Sequence, residues 1–282
     1  MRAIEQWVAQ QLGPSGPWVR LDGMRGSTAV FGLTTSDGQE RVVKQFRSAR
    51  AYEQEHRALS RWFGAQERLG GARVPKLIAA APELAALILE RLPGTALDND
   101  AEAAPDVHRA AGRFLAALHQ LPWVDDDPLP LADALVRRTR AWLRQAPLEP
   151  EQVRVVEQHG PRPELFSGAR RVPCHRDFAP RNWLWDGGRL SVLDFEHARS
   201  DLALVDMTKL CVGAWSQRPA LAAAFFAGYG RSPSDLEREQ LRALVVLHGV
   251  ASLAWGHARD DVELITEGRR ALVSAAAWSP EF

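Results

Sequence analysis

The first third of the chain alternates apolar and polar positions in short runs, a pattern that predicts β-strands accompanied by helices. Residues 2–12 carry an apolar stripe at helical spacing, and Gly13 and Pro14 end this helix. Ser48 is placed to begin a second helix, over residues 48–65. The predicted strands cover residues 18–21, 28–34, 41–46, 77–81 and 84–89. The first three of these strands are expected to form an antiparallel meander.

After Leu92-Pro93-Gly94, apolar residues recur every three or four positions, which is typical of amphipathic helices. The predicted helices cover residues 103–121, 131–145, 150–158, 203–215, 219–229, 233–257 and 260–277. A chain of 282 residues is long enough for two modest domains, and the change of pattern places their boundary near residue 92. We therefore expect an α+β fold, with a small antiparallel-sheet lobe over residues 1–92 and a larger, mainly helical lobe over residues 93–282.

One β-hairpin interrupts the helical region, and polar residues flank it. Residues 183–192 alternate apolar and polar positions around Asp-Gly-Gly, which is typical of a tight turn between two strands. Asn182 and Asp194 each lie six residues from Gly188, so the hairpin is predicted to bring them side by side, with Asp177 on the preceding loop. Their oxygen atoms suit Mg²⁺ as ligands, and they also suit a base that takes a proton from a hydroxyl nucleophile.

A hairpin with polar ends in a mixed domain would explain any one of these residues alone. The combination of Asp-x-x-x-x-Asn, a hairpin and then Asp-Phe is much more specific. The sequence therefore favours a site for phosphoryl transfer.

Lysine is rare in this chain, because only Lys44, Lys76 and Lys209 stand among 35 basic side chains. Lys44 lies in a central predicted strand, one strand after a turn over residues 23–27 that contains two glycines. An ammonium is a compact charge that fits among phosphate oxygens, and glycines let backbone amides approach a phosphate. For Lys76 and Lys209, random substitution explains the lysine equally well.

A buried Lys44 needs a carboxylate partner, and the next helix offers two. Glu55 precedes Leu59 by four residues and so lies on the apolar side of the helix, whereas Glu53 faces another side. We therefore predict that Glu55 pairs with Lys44 and that Glu53 is solvated.

Charge and composition narrow the range of partners. The 35 basic and 35 acidic side chains give a net charge of 0, so no overall field favours nucleic acid or an anionic membrane. The two cysteines, Cys174 and Cys211, indicate neither a disulfide framework nor a zinc site, which fits a reducing cytoplasm. The N-terminus lacks an apolar signal core, and the apolar stretch over residues 77–89 is shorter than the roughly 20 residues that span a bilayer. We expect a cytoplasmic protein with no nucleic-acid or membrane partner.

From about residue 18 to about residue 227, and most specifically between His175 and Glu196, the sequence resembles the aminoglycoside phosphotransferase and choline kinase family of protein-kinase-like small-molecule kinases. The resemblance implies a protein-kinase-like two-lobe fold and transfer of the γ-phosphate of ATP, with Mg²⁺, to a hydroxyl of a small molecule. It makes Asp177 the catalytic base and Asn182 and Asp194 the Mg²⁺ ligands.

The resemblance also implies where the nucleotide binds. Lys44, held by Glu55, would pair with the α- and β-phosphates, the glycine-containing turn would cover the phosphates, and backbone groups of a hinge would read the adenine edge. The residues implied in nucleotide binding are Lys44, Glu55, Gly26, Ser27, Glu90 and Leu92. His175, His119 and Asp206 are expected to have structural roles.

The chain departs from the family where glycine is usual and Arg176 stands instead, which gives His-Arg-Asp as in protein kinases. We do not expect a protein substrate, because only seven residues separate Asp194 from Asp201, too few for a long activation segment. Phe195-Glu196 also replaces Phe-Gly, a variation that the family tolerates.

The acceptor stays open among aminoglycosides, choline-like amines and sugars, and the oligomeric state stays open too. Acidic runs over residues 125–127 and 260–263 are candidates for contacting a polycation, and Trp215 and Trp255 for contacting a quaternary amine. An alternative is a catalytically weak nucleotide- or ligand-binding protein on the same fold, which the intact site residues argue against. A hydrolase using Asp177 and His175 is a third hypothesis, but the chain has no G-x-S-x-G sequence.

Overall fold

The computed structural model describes residues 2–21, 28–64, 68–123 and 127–278. The chain forms two compact units, Met1–Leu97 with Arg181–Arg199, and Asp98–Pro180 with Ser200–Phe282. Antiparallel strands dominate the first unit and helices the second, which confirms the predicted α+β class. The domain boundary at residue 92 stays a prediction. The segment that carries the hairpin, Arg181–Arg199, belongs to the first unit.

Eleven α-helices occur within the described residues, and most of them lie in the second unit. The helices are α1 (Arg2–Leu12), α2 (Ala49–Arg57), α3 (Asn99–Glu102), α4 (Pro105–His119), α5 (Leu131–Leu143), α6 (Pro150–His159), α7 (Thr208–Val212), α8 (Ala214–Gln217), α9 (Pro219–Tyr229), α10 (Asp235–Arg259) and α11 (Val262–Ala276). The prediction of one helix over residues 203–215 is wrong: a 3₁₀ turn precedes α7, and non-helical backbone at Gly213 (φ −94°, ψ −113°) separates α7 from α8.

Twelve strands are present within the described residues. The strands are β1 (Val19–Arg20), β2 (Thr28–Thr34), β3 (Glu40–Phe46), β4 (Arg68–Leu69), β5 (Ala72–Arg73), β6 (Leu77–Ala81), β7 (Ala86–Glu90), β8 (Thr95–Ala96), β9 (Val172–Cys174), β10 (Trp183–Trp185), β11 (Leu190–Val192) and β12 (Arg199–Asp201). The predicted strands are all present, although β7 begins two residues later than predicted because residues 82–84 form a 3₁₀ turn. Strands β4, β5, β8, β9 and β12 are too short to show a periodic pattern.

The main sheet of the first unit has the strand order β1-β2-β3-β7-β6, with antiparallel neighbours throughout. Helix α1 covers one face, where Ile4 and Val8 pack in a core with Val43 and Ile88. Successive residues of a strand face opposite sides of a sheet. Lys44, which follows Val43, therefore faces away from α1.

Helix α2 begins as predicted, since the Ser48 side chain accepts a hydrogen bond from the Ala51 amide at 3.3 Å. The α-helical spacing ends at Arg57, and residue 65, the predicted end of the helix, lies outside the described residues. The Ala58 amide is shared between the carbonyls of Gln54 and Glu55, and residues 58–63 follow as a π-helical turn.

The hairpin of β10 and β11 is confirmed, and its turn is set by Asp186. The Asp186 amide donates to the carbonyl of Arg189 at 3.2 Å, and the Arg189 amide donates to Asp186 Oδ1 at 2.8 Å. Gly187 has φ +82°, a backbone conformation that glycine adopts without steric cost. The hairpin is central in a second sheet with the order β4-β5-β11-β10-β8.

The predicted register of this hairpin is wrong by one residue. Its turn is centred between Gly187 and Gly188, so that Trp183 pairs with Val192. Asn182 consequently lies opposite Leu193, whose amide donates to the Asn182 carbonyl at 2.9 Å.

Close helix packing through glycines organises the second unit. Added Cβ atoms at Gly112 of α4 and Gly228 of α9 would overlap the backbone carbonyls of Phe225 and Arg109 respectively. These positions permit a close α4–α9 approach that any larger side chain would prevent.

Helix α10 is long and apolar enough to cross a membrane, the one such helix among the described residues. However, 67% of its most apolar stretch is buried, and α11 packs against it. These properties are typical of the core helix of a folded domain.

Candidate functional site

Lys44 is the centre of a charged cluster in the first unit. Its Nζ lies 2.8 and 2.9 Å from the two carboxylate oxygens of Glu55 and 2.8 Å from Oδ1 of Asp194. Strand β3 supplies the lysine, helix α2 supplies Glu55, and the end of the hairpin supplies Asp194. The predicted ion pair between Lys44 and Glu55 is thus present, and Asp194 joins it.

Two carboxylates share one ammonium at this site. Burial alone would lower the pKa of Lys44, but the charges of Asp194 and Glu55 outweigh it and hold this pKa well above its usual range. Burial raises the pKa of Glu55, and repulsion from Asp194 adds to the rise that Lys44 opposes. The lysine therefore remains protonated.

A cavity of about 620 Å³ opens beside this cluster, within the size range of small-molecule sites. The described residues that line it all belong to the first unit. Apolar side chains of the main sheet and the hairpin line it, and so do Lys44 and Asp194. The predicted hinge residues Glu90 and Leu92 also line the cavity. The glycine-containing turn, with Gly26 and Ser27, lies outside the described residues.

Asn182 and Asp194 both line the cavity, despite the shift in hairpin register. Glu196 lines it as well, and its Oε2 accepts a hydrogen bond from Thr28 Oγ1 at 2.6 Å. The sequence reasoning missed a role for Glu196. No strand alternation could have indicated one, because Asp194 has left-handed backbone and Glu196 lies in a turn.

Asp194 has φ +66°, in the left-handed region that costs most non-glycine residues about 1–2 kcal/mol. Asp is among the residues that tolerate this conformation. Such backbone is typical of functional sites, where the surrounding structure holds it.

Asp177 lies in the second unit and is 6% exposed. The loop before it is held by the carboxylate of Asp206, which accepts hydrogen bonds from the amides of His175 and Arg176. The Asp177 amide donates to Nδ1 of His175 at 3.3 Å. These contacts agree with the structural roles expected for His175 and Asp206.

Lys209 forms an ion pair with Oδ1 of Asp177. The sequence reasoning treated Lys209 as random substitution, although the rarity of lysine that singled out Lys44 applies equally to Lys209. Two of the three lysines of this chain thus contact aspartates of the predicted site.

Arg176 has φ +66°, which explains why glycine is suited to this position. The guanidinium compensates by an ion pair, with Nε 3.0 Å from Oδ2 of Asp201. Arg138 approaches the same oxygen at 3.0 Å, and Asp201 is 1% exposed. Through this ion pair, Arg176 attaches the loop of Asp177 to the buried carboxylate of Asp201.

His119 contacts the carboxylate that holds the loop before Asp177, since its Nε2 lies 3.1 Å from Oδ2 of Asp206. Its Nδ1 lies 2.9 Å from the hydroxyl of Tyr229. These contacts join α4 and α9 to the loop, as expected of a structural histidine.

The structure separates the two tryptophans that were considered for acceptor binding. Trp215 is fully buried and packs against Phe225, with ring centroids 4.9 Å apart. It therefore belongs to the core. Trp255 is 41% exposed, and the guanidinium of Arg259 lies 3.7 Å from the centre of its ring.

The two acidic runs that were considered for binding a polycation also differ in the structure. Asp261 begins α11, and its side chain accepts a hydrogen bond from the amide of Leu264 at 3.0 Å. Asp260 ends α10 with left-handed backbone. These two carboxylates thus occupy helix ends. Of the other run, residues 125 and 126 lie outside the described residues.

Comparisons with known proteins agree with this geometry. The sequence model of the phosphotransferase enzyme family matches residues 20–244. No curated protein matches the sequence significantly. Many solved structures share the fold, and three of them follow.

A thermostable mutant of aminoglycoside phosphotransferase APH(4)-Ia, in a ternary complex with ADP and hygromycin B, is 16% identical; the alignment covers 98% of this chain and 100% of that chain with a TM-score of 0.70. Macrolide 2'-phosphotransferase MphH from Brachybacterium faecium is 18% identical, with 100% of both chains covered and a TM-score of 0.67. The GDP and kanamycin complex of APH(2")-IIia is 14% identical, with 98% of this chain and 99% of that chain covered and a TM-score of 0.73.

Proposed function

Because this chain belongs to the phosphotransferase enzyme family, we propose that it transfers the γ-phosphate of ATP, with Mg²⁺, to a hydroxyl of a small molecule. The observation that carries the proposal is the buried cluster of Lys44, Glu55 and Asp194 beside a cavity. Such a lysine neutralises phosphate charge, and phosphoryl transfer depends mainly on positioning and charge neutralisation.

The nucleotide would lie in the cavity of the first unit. Val30 and Val42 of the main sheet and Leu184 of the hairpin offer apolar walls for a base. Lys44 would meet the α- and β-phosphates at the charged end. The amides and carbonyls of the hinge would read the edge of the base, and the turn with Gly26 and Ser27 would cover the phosphates. Similar proteins hold ADP or GDP, which supports a purine nucleotide.

The donor set beside Lys44 fits a hard divalent cation. Asn182, Asp194 and Glu196 all present oxygen atoms at the cavity, and oxygen is the preferred donor for Mg²⁺. Burial is the main cause of the raised pKa of Glu55, and a cation would offset the repulsion from Asp194 that adds to it. We assign Asn182 and Asp194 as the ligands, with Glu196 as a further carboxylate. A bound Mg²⁺ would supply neutralisation of the phosphate charge.

Asp177 is assigned as the base of the reaction. Its carboxylate would accept the proton of the acceptor hydroxyl as the hydroxyl oxygen bonds to the γ-phosphorus. The bond from that phosphorus to the β-phosphate oxygen breaks, and ADP leaves. Ion pairing to Lys209 and the hydrogen bonds of the preceding loop orient this carboxylate.

The class of the acceptor is proposed from the sequence and from what similar proteins bind. Hygromycin B and kanamycin accompany similar proteins, and another similar protein is a macrolide phosphotransferase. We propose a small-molecule hydroxyl acceptor of the aminoglycoside, choline or sugar kind.

A radiolabel-transfer assay tests the proposal. The purified chain would be incubated with γ-labelled ATP, MgCl₂ and panels of aminoglycosides, macrolides, choline-like amines, sugars and amino alcohols. We expect one class to become labelled, and Asp177→Asn to reduce kcat by about 10²- to 10⁴-fold while ATP still binds. Binding of ATP without transfer to any class would favour the catalytically weak binding protein. Unchanged kcat in Asp177→Asn would contradict the assignment of the base.

A further inference from the structure

Lysine occurs at only three positions in this chain, and two of these lysines contact aspartates of the proposed site. Lys44 contacts Asp194, and Lys209 contacts Asp177. The third, Lys76, is exposed on the first unit. Such a distribution indicates that the compact ammonium is needed where it touches these carboxylates.

Lys209 is well placed to fix the side chain of Asp177. It is the second residue of α7, three residues after Asp206, whose carboxylate holds the amides at residues 175 and 176. The Lys209 side chain is 22% exposed and that of Asp177 is 9% exposed, so the pair is largely shielded from water. One short segment thus fixes both the backbone of the loop and the carboxylate at its end.

The choice of lysine has a geometric reason. An ammonium acts as a compact point charge without a fixed pair of N–H groups, and Lys209 engages Oδ1 of Asp177. A guanidinium presents two parallel N–H groups and binds both oxygens of a carboxylate. An arginine here would therefore compete with an acceptor hydroxyl for Asp177, whereas lysine orients the same group and reduces its repulsion from a phosphate.

We propose that Lys209 is a positioning residue of phosphoryl transfer, which acts through Asp177. This inference rests on the proposed function. It requires that the charge and the single-oxygen geometry of Lys209 both matter. Loss of the ammonium is expected to lower kcat by about 10- to 100-fold, as for other residues that orient a reacting group, with little change in the KM for ATP.

The experiment compares the wild type, Lys209→Ala, Lys209→Arg and the matched control Lys76→Ala in full-length protein, with the acceptor found by the transfer assay. We expect Lys76→Ala to match the wild type and both Lys209 variants to lose kcat. Methylammonium should restore part of the kcat of Lys209→Ala. Tetramethylammonium, which has the same charge but no N–H donor, should not. Lys209→Met, which keeps the apolar stem, replaces the alanine variant if that variant unfolds.

The outcomes separate this inference from the proposed function. A wild type that transfers phosphate, with Lys209 variants that keep their kcat, would overturn the role of Lys209 alone. Full activity in Lys209→Arg would overturn the geometric argument, and absence of amine rescue would indicate a merely structural lysine. A wild type that labels no acceptor would overturn the proposed function, and the role of Lys209 with it.

Discussion

Replacing Lys44 with methionine removes the ammonium that Glu55 and Asp194 share, while it keeps an apolar chain of similar length. Glu55 is fully buried and lies 2.8 Å from the lysine, so its charge would then lose this stabilisation. The folded protein can relieve that charge by protonating Glu55. From the ordinary pKa of 4.5, protonation costs about 3 kcal/mol at pH 7.

This cost is an upper bound on the destabilisation. Because burial and Asp194 already raise the pKa of Glu55 in the wild type, part of the cost exists before the mutation. Since that pKa is about 7 in the wild type, we expect Lys44→Met to lower the free energy of unfolding by less than about 1 kcal/mol at pH 7 and by about 2 kcal/mol at pH 8.5.

The loss should also depend on pH. The pKa of Glu55 is higher in the folded than in the unfolded protein. The stability that this difference contributes is fully present at low pH and is lost as the pH rises towards the folded pKa. In Lys44→Met the folded pKa of Glu55 rises further. Above neutral pH, Glu55 therefore ionises in the folded wild type but stays protonated in the folded variant. The difference between wild type and variant should be smallest at about pH 5.5 and largest at about pH 8.5.

Urea unfolding followed by circular dichroism measures these free energies for the wild type, Lys44→Met, Glu55→Gln and the double variant. The double variant should be more stable than Lys44→Met at the higher pH, because it contains no Glu55 charge. A loss that is equal at every pH, or a double variant no more stable than Lys44→Met, would refute this reasoning.

Three further predictions concern the second unit and the hairpin. Gly112→Ala should destabilise the protein by about 1–3 kcal/mol in urea unfolding, because the methyl overlaps a backbone carbonyl of α9, whereas Gly188→Ala has open space and should cost little. Burial raises the pKa of Cys174 and of Cys211, so neither thiol should react with a thiol reagent until the protein is denatured, when two should react. Arg176→Gly should be more stable than Arg176→Ala by about 1 kcal/mol in the same urea assay, because φ is +66° there; equal stabilities would contradict this.

The sequence predicts the main elements well where the apolar pattern is long. Helices such as α4 and α10 and strands such as β2 and β3 show several periods, so their type and approximate bounds can be predicted. The segment over residues 203–215 could not be predicted in this way. Its apolar residues suit one helix, yet the backbone at Gly213 breaks it.

The candidate site could be predicted in part. The pairing of Glu55 with Lys44 follows from the apolar side of one helix. The hairpin accounts for the position of Asn182 and Asp194 at one cavity. The predicted register was wrong by one residue because Asp-Gly-Gly allows a turn centred on Gly188 or between Gly187 and Gly188.

The sequence alone could not predict contacts that depend on how distant segments pack. The ion pair of Lys209 with Asp177 and the hydrogen bond from Thr28 to Glu196 join residues 32 and 168 positions apart. No local sequence pattern predicts these contacts. The rarity of lysine, from which we predicted a functional role for Lys44, would also have indicated one for Lys209.

The most direct test of the central claim is calorimetric titration of ATP, with and without MgCl₂, into the wild type and Asp194→Asn. The account predicts that Mg²⁺ strengthens ATP binding to the wild type and that Asp194→Asn loses most of this gain, because the carboxylate that would hold the cation is gone. Absence of ATP binding to the wild type, or equal binding with and without Mg²⁺, would contradict a metal-dependent kinase site at Lys44, Asn182 and Asp194.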